Sequence, residues 1–194
     1  MKILHVAGAR PNFMKIAPLV RAFEERGAQA PICHTGQHYD AKMSRLFFDE
    51  LSIPRPVVNL EVGSGSHAAQ TAAVMSRFET VLLAEKPGMV IVVGDVNSTM
   101  ACALVCAKLL VPVAHVEAGL RSFDRTMPEE VNSIVTDAVS DLLFCSERSG
   151  VTNLAREGVP GAKVRLVGNV MIDTLLAHRD RARASGARER LAPA

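Results

Sequence analysis

The chain has 194 residues, 48% of them apolar and 22% charged, with a net charge of +2, proportions that suit one well-cored globular domain and barely two. One Tyr, no Trp and seven Phe give no stacking platform for single-stranded nucleic acid, and no apolar run approaches the ~20 residues of a membrane-spanning helix. The last seventeen residues hold five Arg against Asp180 and Glu189, a net +3 that leaves −1 on residues 1–177, so the basic balance lies in a tail and not on a nucleic-acid-binding face.

Apolar runs alternate with amphipathic stretches along the whole chain. "KILHVAG" predicts a strand, and 12–26 a helix with apolar spacing at Met14, Ile16, Leu19, Val20 and Phe23. "QAPICHTG" predicts a second strand and 40–51 a helix, "VVNL" a short strand and 67–85 a long helix. "GMVIVVG" is a strand followed by an apolar helix over 97–110, and "VPVAHVE" a strand followed by a helix over 128–139. "DLLFCS" precedes a helix over 147–157, and "KVRLVGN" a closing helix over 170–184. Such alternation with near-continuous apolar strands predicts an α/β fold, a doubly wound, mostly parallel Rossmann-like sheet covered on both faces. A single domain over 1–182 is expected. A basic tail or interdomain linker is expected over 183–194, where periodicity is lost.

Cys33, Cys102, Cys106 and Cys145 sit inside apolar runs, and Cys102 and Cys106 lie one helical turn apart, a spacing that suits packing rather than a CxxC redox or zinc pair. No metal site is expected. "MKILHVAGA" is too short for a secretory signal, so a cytoplasmic location is the expectation.

Ligands of doubly wound sheets bind outside the carboxyl ends of the strands, and the polar residues of this sequence cluster there. After strand one, Arg10 and Lys15 flank Pro11 at a helix start, an anion site unless both are solvated surface charges. There is no G-x-G-x-x-G dinucleotide fingerprint at this turn. Gln37 and His38 follow strand two, and "GSGSH" at 63–67 is a weak phosphate-loop signal. In "VVGDVNST", Asp95 or Asn97 is either a helix cap or, for Asp95, a carboxylate facing the crevice. His115 and Glu117, two apart on one strand, are expected on the same face. His115 also reads as a satisfied core histidine, whereas a glutamate at a buried strand end needs a use. In "TMPEEVN", Thr126 and Glu129 make a capping box, which leaves Glu130 to face solvent. Asp95, Glu117 and Glu129 together supply the acid and base of a proton transfer, beside a phosphate held by Arg10 and Lys15.

Seven motifs in order, "GARPNFMKIAPL", "TGQHYD", "GSGSHAAQT", "GDVNST", "HVEAGLRS", "MPEEVN" and "VGNVMID", resemble the amino-terminal half of the non-hydrolysing UDP-N-acetylglucosamine 2-epimerases, from Met1 to about Arg183. The resemblance implies one of the two Rossmann-like domains of a glycosyltransferase-B-like cleft. It implies an isomerase that interconverts UDP-N-acetylglucosamine and UDP-N-acetylmannosamine without NAD or any other cofactor. UDP is eliminated to give 2-acetamidoglucal, then added back with the proton returned to the other face of carbon 2. Asp95, Glu117, Glu129 and Lys15 would be catalytic, and Arg10, Lys15, His38, His115 and Arg121 would contact substrate. The family's "PEE-x-N" is usually followed by Arg, where this chain has Ser133. The family's second domain, which carries most uridine and diphosphate contacts, lies outside these residues, so a second-domain chain or a homo-oligomer is the expected partner, with no nucleic acid or membrane. The rival readings are a partner-dependent or inactive nucleotide-sugar-binding subunit, and an epimerase for another UDP-sugar.

Overall fold

The structure is a computed structural model that describes residues 1–36 and 48–186. Its seven strands are β1 (Ile3–Ala7), β2 (Ile32–His34), β3 (Val58–Asn59), β4 (Met89–Val93), β5 (Val113–Val116), β6 (Leu142–Cys145) and β7 (Val164–Leu166). Between and after them run α1 (Arg10–Glu24), α2 (His67–Glu85), α3 (Asn97–Lys108), α4 (Pro128–Val139), α5 (Arg148–Arg156) and α6 (Val170–Ala184), with a 3-10 turn at Gly161–Lys163. The helix predicted over 40–51 lies mostly outside the described residues, of which 48–51 are helical. Every strand pair is parallel, and the order is β3-β2-β1-β4-β5-β6-β7.

The order reverses between β1 and β4, and right-handed crossovers then require helices on opposite faces for the two halves of the sheet. The packing follows. On one face, Ile3 and Ala7 of β1 bury against Phe13, Ile16 and Val20 of α1, with Leu51 and Ile53 in the same cluster. On the other, Leu4 and Val6 bury against Val74 and Phe78 of α2 and Ala101, Cys102 and Val105 of α3. The alternation of β1 between the two clusters is the period-2 pleat of a strand covered on both sides. Beyond β5, Leu143 and Cys145 of β6 pack on Leu154 of α5. All four cysteines are buried free thiols, and burial pushes Cys33 and Cys106 up to about 12, which makes them inert packing residues. Among the described residues, no helix is long and apolar enough to cross a membrane.

Two backbone segments approach closely at Gly119 (φ +79°), where an added Cβ would lie 2.4 Å from the Gly150 carbonyl oxygen. The positive φ and the contact together exclude a side chain. Gly119→Ala is therefore expected to lower unfolding free energy by about 2 kcal/mol or more, read by urea denaturation. A loss of a few tenths would show that α5 yields freely.

His5, in the middle of β1, is fully buried, and neither ring nitrogen has a hydrogen-bond partner. It meets the Phe23 ring edge-on, with centroids 5.4 Å apart. Burial pushes its pKa from 6.5 down to about 4, against weaker upward pulls from the backbone at Ile3 and Pro31. The folded state thus holds the neutral ring. Its stability is intact above about pH 6.5 and is lost as pH falls toward 4, by about 3 kcal/mol at the acid end. His5→Leu removes this titration at similar volume, and its stability should fall by about 3 kcal/mol less than wild type's between pH 7 and pH 4. Equal losses in parallel denaturations would rule out His5 as the acid-sensitive group.

Candidate active site

The crevice is built where the strand order reverses, from the turns that leave β1, β4 and β5. After β1, α1 starts at Arg10, two residues earlier than its apolar spacing predicts. The reason is Asn12: its Oδ1 accepts from the N–H groups of Gly8 and Ala9 at 3.0 and 2.8 Å, and its Nδ2 donates to the Val93 carbonyl at 3.1 Å. Ala9 at the N-cap has no hydrogen-bonding side chain, so Asn12 inside the helix reaches back to the turn and ties it to β4.

One turn further on, Lys15 extends its ammonium over Gly94 to a salt bridge with Glu117, and each of the two side chains is only 11% exposed. Gly94 has φ +69°, and a Cβ there would lie 2.9 Å from Lys15 Nζ. The absent side chain at Gly94 is what lets the pair close over β4. Glu117 itself has φ +71°, a left-handed conformation that costs a non-glycine residue about 1 kcal/mol or more. The expectation that His115 and Glu117 share a face is therefore corrected. β5 ends at Val116, and the left-handed turn at Glu117 swings its carboxylate toward α1, while His115 points to α4 on the other face.

His115 is 1% exposed. Its Nδ1 lies 2.6 Å from Asp137 Oδ1, and its Nε2 2.8 Å from the Gly94 carbonyl oxygen. Both partners are acceptors, so each ring nitrogen faces an oxygen to which it can donate. Asp137 Oδ2 accepts from Gly119 N–H at 3.0 Å and from Arg121 at 2.8 Å. Burial alone pushes the Asp137 carboxyl up, but the His115 bond and charge, with Arg121, outweigh it and hold the group below the usual carboxylate range. Arg121 completes a fork onto Glu157, with Nε and NH2 at 2.7 and 2.6 Å, and its side chain is 1% exposed. Burial opposes its charge, and Glu157 and Asp137 together reverse that and raise its pKa. His115 and Arg121, anticipated as substrate contacts, thus spend their polar atoms on a buried network behind the crevice.

The remaining carboxylates divide sharply. Asp95 is exposed and caps nothing: the N-cap of α3 is Val96, and Asn97 instead bonds His67 at 3.0 Å, Gln70 at 2.9 Å and Asn132 at 3.2 Å. Asn132 also donates to the Asp95 carbonyl at 2.8 Å, which fixes the Asp95 turn against α4, one helical turn from Glu129. The Thr126–Glu129 capping box does not form. The N-cap is Met127, the Thr126 hydroxyl turns to Asp124 at 2.6 Å, and Glu129 is exposed. Glu130, expected in solvent, is 5% exposed and accepts from Ser122 N–H and Oγ at 2.7 and 2.9 Å. The buried glutamate is the second of the pair because helix geometry turns it toward the 120–124 loop, and this leaves Glu129 facing outward. Neither Asp95 nor Glu129 makes an ion pair with a described residue.

The structure thus brings Lys15, Glu117, Asp95 and the start of α4 to one crevice, with Arg10 exposed at the first position of α1. Gln37 and His38 lie outside the described residues. Sequence reasoning missed Asn12, Asn132 and Asp137. For the last two, a signal exists: α4 carries polar residues at 130, 133 and 137 and at 132 and 136, helical spacings that mark a buried polar face.

The family profile described as "UDP-N-acetylglucosamine 2-epimerase" matches residues 21–193. A UDP-N-acetylglucosamine 2-epimerase of Methanocaldococcus jannaschii is 47% identical over 91% of this chain and 48% of its own length. A UDP-2,3-diacetamido-2,3-dideoxy-D-glucuronate 2-epimerase of Pseudomonas aeruginosa is 49% identical over 94% of this chain and 52% of its own. The crystal structure of the Methanocaldococcus jannaschii UDP-GlcNAc 2-epimerase in complex with UDP-GlcNAc and UDP superposes with a TM-score of 0.94 at 44% identity, over 97% of this chain and 52% of that one. That of the Neisseria meningitidis enzyme bound to UDP-GlcNAc gives 0.90 at 29% identity, over 98% and 52%. The chain spans about half the length of the relatives it matches. A profile match over most of its residues, on this fold, places the chain in the UDP-N-acetylglucosamine 2-epimerase family.

Proposed function

We propose that this chain forms the amino-terminal wall of the cleft of a UDP-2-acetamidosugar 2-epimerase, with UDP-N-acetylglucosamine and its 2-epimer as substrates. The observation that carries this reading is the Lys15–Glu117 pair closed over Gly94 beside two exposed, unpaired carboxylates, Asp95 and Glu129. Epimerisation at carbon 2 needs one group to take the proton as the bond from carbon 1 to the UDP oxygen breaks. Another group must return a proton to the opposite face of the 2-acetamidoglucal as UDP re-adds. Glu117 arrives from the α1 face of the sheet and Glu129 from the α4 face, so a sugar lodged between them meets proton-transfer groups on two sides. Arg10, exposed at the first turn of α1, adds a guanidinium to a helix N-terminus and suits a phosphate. The diacetamido uronate is a second reading, favoured by the 49% identity to the Pseudomonas aeruginosa relative.

The test supplies the carboxyl-terminal half of the Methanocaldococcus jannaschii relative in trans or by fusion. Both UDP-sugars are then incubated in deuterium oxide and exchange at carbon 2 is followed by NMR. The 194-residue chain alone is expected to give no exchange, and the reconstituted protein to give exchange with at least one substrate. In the reconstituted protein, Asp95→Asn, Glu117→Gln and Glu129→Gln should each reduce turnover by about 100-fold or more. Nucleotide-sugar binding without exchange, with the three variants indistinguishable from wild type, would mean a binding subunit.

The second half should also find a surface to meet. Phe123 and Met127, just before α4, are 74% and 42% exposed, and Ile172, Leu175 and Leu176 of α6 are all more than half exposed. Apolar exposure on this scale marks an interface. Sedimentation velocity is expected to show self-association of the chain, or its capture by the second half. A strict monomer at high concentration, unchanged by the second half, would argue against any such interface.

A further inference from the structure

We propose that Asp137 is a positioning residue for the crevice, setting the Lys15–Glu117 pair through two arms that end on the two backbone turns holding it. This rests on the reading of Lys15 and Glu117 as part of the reacting machinery. The first arm runs from Asp137 Oδ1 through His115 to the Gly94 carbonyl, at 2.6 and 2.8 Å. Gly94 is the residue over which Lys15 reaches. The second runs from Asp137 Oδ2 to Gly119 N–H at 3.0 Å and to Arg121 at 2.8 Å, two and four residues after Glu117. A left-handed glutamate persists only where its neighbours over-determine it. Here the N–H groups of Glu117 and Ala118 share the Phe144 carbonyl at 3.0 and 3.1 Å, and the Asp137 carboxylate fixes the next N–H along. One carboxylate on α4 thereby sets both the height of the Gly94 turn and the direction in which Glu117 leaves β5.

In this network Asp137 sits between His115 and Arg121, Arg121 reaches on to Glu157, and the side chains of Asp137, His115 and Arg121 are 1–2% exposed. Asparagine at 137 can keep the arms. Its oxygen accepts from Gly119 and Arg121, and its NH2 donates to the Nδ1 of a neutral His115, whose Nε2–H still reaches Gly94. Alanine keeps neither arm. A residue that matters only for its charge fails as Asn; one that matters for position is rescued by it.

The test reads the amine of Lys15 directly, by mass-spectrometric acetylation of the chain, with Lys2 as internal reference. Lys2 is also paired with a glutamate, at the far end of the sheet. Glu117→Gln and Asp137→Ala are each expected to raise Lys15 labelling, relative to Lys2, by about fivefold or more, and Asp137→Asn to stay within about twofold of wild type. A Lys15-to-Lys2 ratio that is unchanged in Asp137→Ala overturns the proposal, as does a rise in both lysines together, which is general loosening. If Asp137→Ala does not fold, 15N NMR of the wild-type His115 ring at pH 7.5 takes its place: protons on both nitrogens support the arm, and a bare Nδ1 overturns it. Labelling does not depend on turnover, so a chain that is no epimerase can still pass. If Glu117→Gln leaves Lys15 unchanged, there is no pair to position and the proposal is overturned, while the acid–base reading of Glu117 still stands or falls on carbon-2 exchange.

Discussion

Three segments distant in sequence meet at Gly94, whose left-handed backbone and lack of a side chain leave room for the ion pair beside it. Lys15 comes from α1, Glu117 from the end of β5, and the glycine from the end of β4. A methyl group at 94 would stand 2.9 Å from the ammonium, so the end of Lys15 would have to shift, and the left-handed φ of +69° disfavours any side chain there. An ion pair this secluded is stable only with near-ideal geometry, since water is largely excluded from both partners. The crevice therefore stands on backbone placement: the all-parallel sheet puts the ends of β1, β4 and β5 side by side, and the reversal of strand order opens the gap between them.

The helix α4 inverts the usual logic of burial. Its inward face carries Glu130, Asn132, Ser133, Thr136 and Asp137, while Val131, Ile134 and Val135 stay only half-buried. A polar inward face is tolerable because most of these groups are satisfied: Glu130 by Ser122, Asn132 by the Asp95 carbonyl and Asn97, Thr136 by the Asn132 carbonyl, and Asp137 by three donors, His115, Gly119 and Arg121. Satisfied networks of this kind fix one geometry where an apolar interface would allow small slides. That rigidity is the property a proton-transfer site needs, because misplacement by an ångström removes most of the benefit of proximity. The core thus divides its labour, with interlocked apolar side chains on the α1 face and directed polar contacts holding the crevice on the α4 face.

Much of the fold was legible in the sequence. Among the described residues, seven strands and six of the predicted helices appear where apolar periodicity places them, and the helices at 67–85, 128–139 and 170–184 begin and end where predicted. Periodicity reports burial of whole elements, and in a sheet covered on both faces burial nearly determines the element type. The side-chain directions at the crevice were not legible in the same way. Pattern alone put Glu117 on the face of His115, left a cap at Asp95 or Asn97 open beside a crevice carboxylate at Asp95, gave Thr126 and Glu129 a capping box, and sent Glu130 to solvent. The structure differs at each: Glu117 takes a left-handed turn, Val96 and Met127 are the N-caps of α3 and α4, Thr126 bonds Asp124, and Ser122 takes the Glu130 carboxylate.

By itself, then, the sequence determined the α/β architecture, the strand ends that carry the polar residues, and the ordered motifs that place the chain in its family. The tertiary structure alone decided which of those residues face one another. It joined Lys15 to Glu117 across 102 positions, turned His115 and Arg121 inward onto Asp137, and left Asp95 and Glu129 open. The physical reason is that burial is written locally, in the spacing of apolar side chains. A salt bridge or a left-handed turn is set by which distant backbone happens to arrive within 3 Å, and no local pattern records that distance.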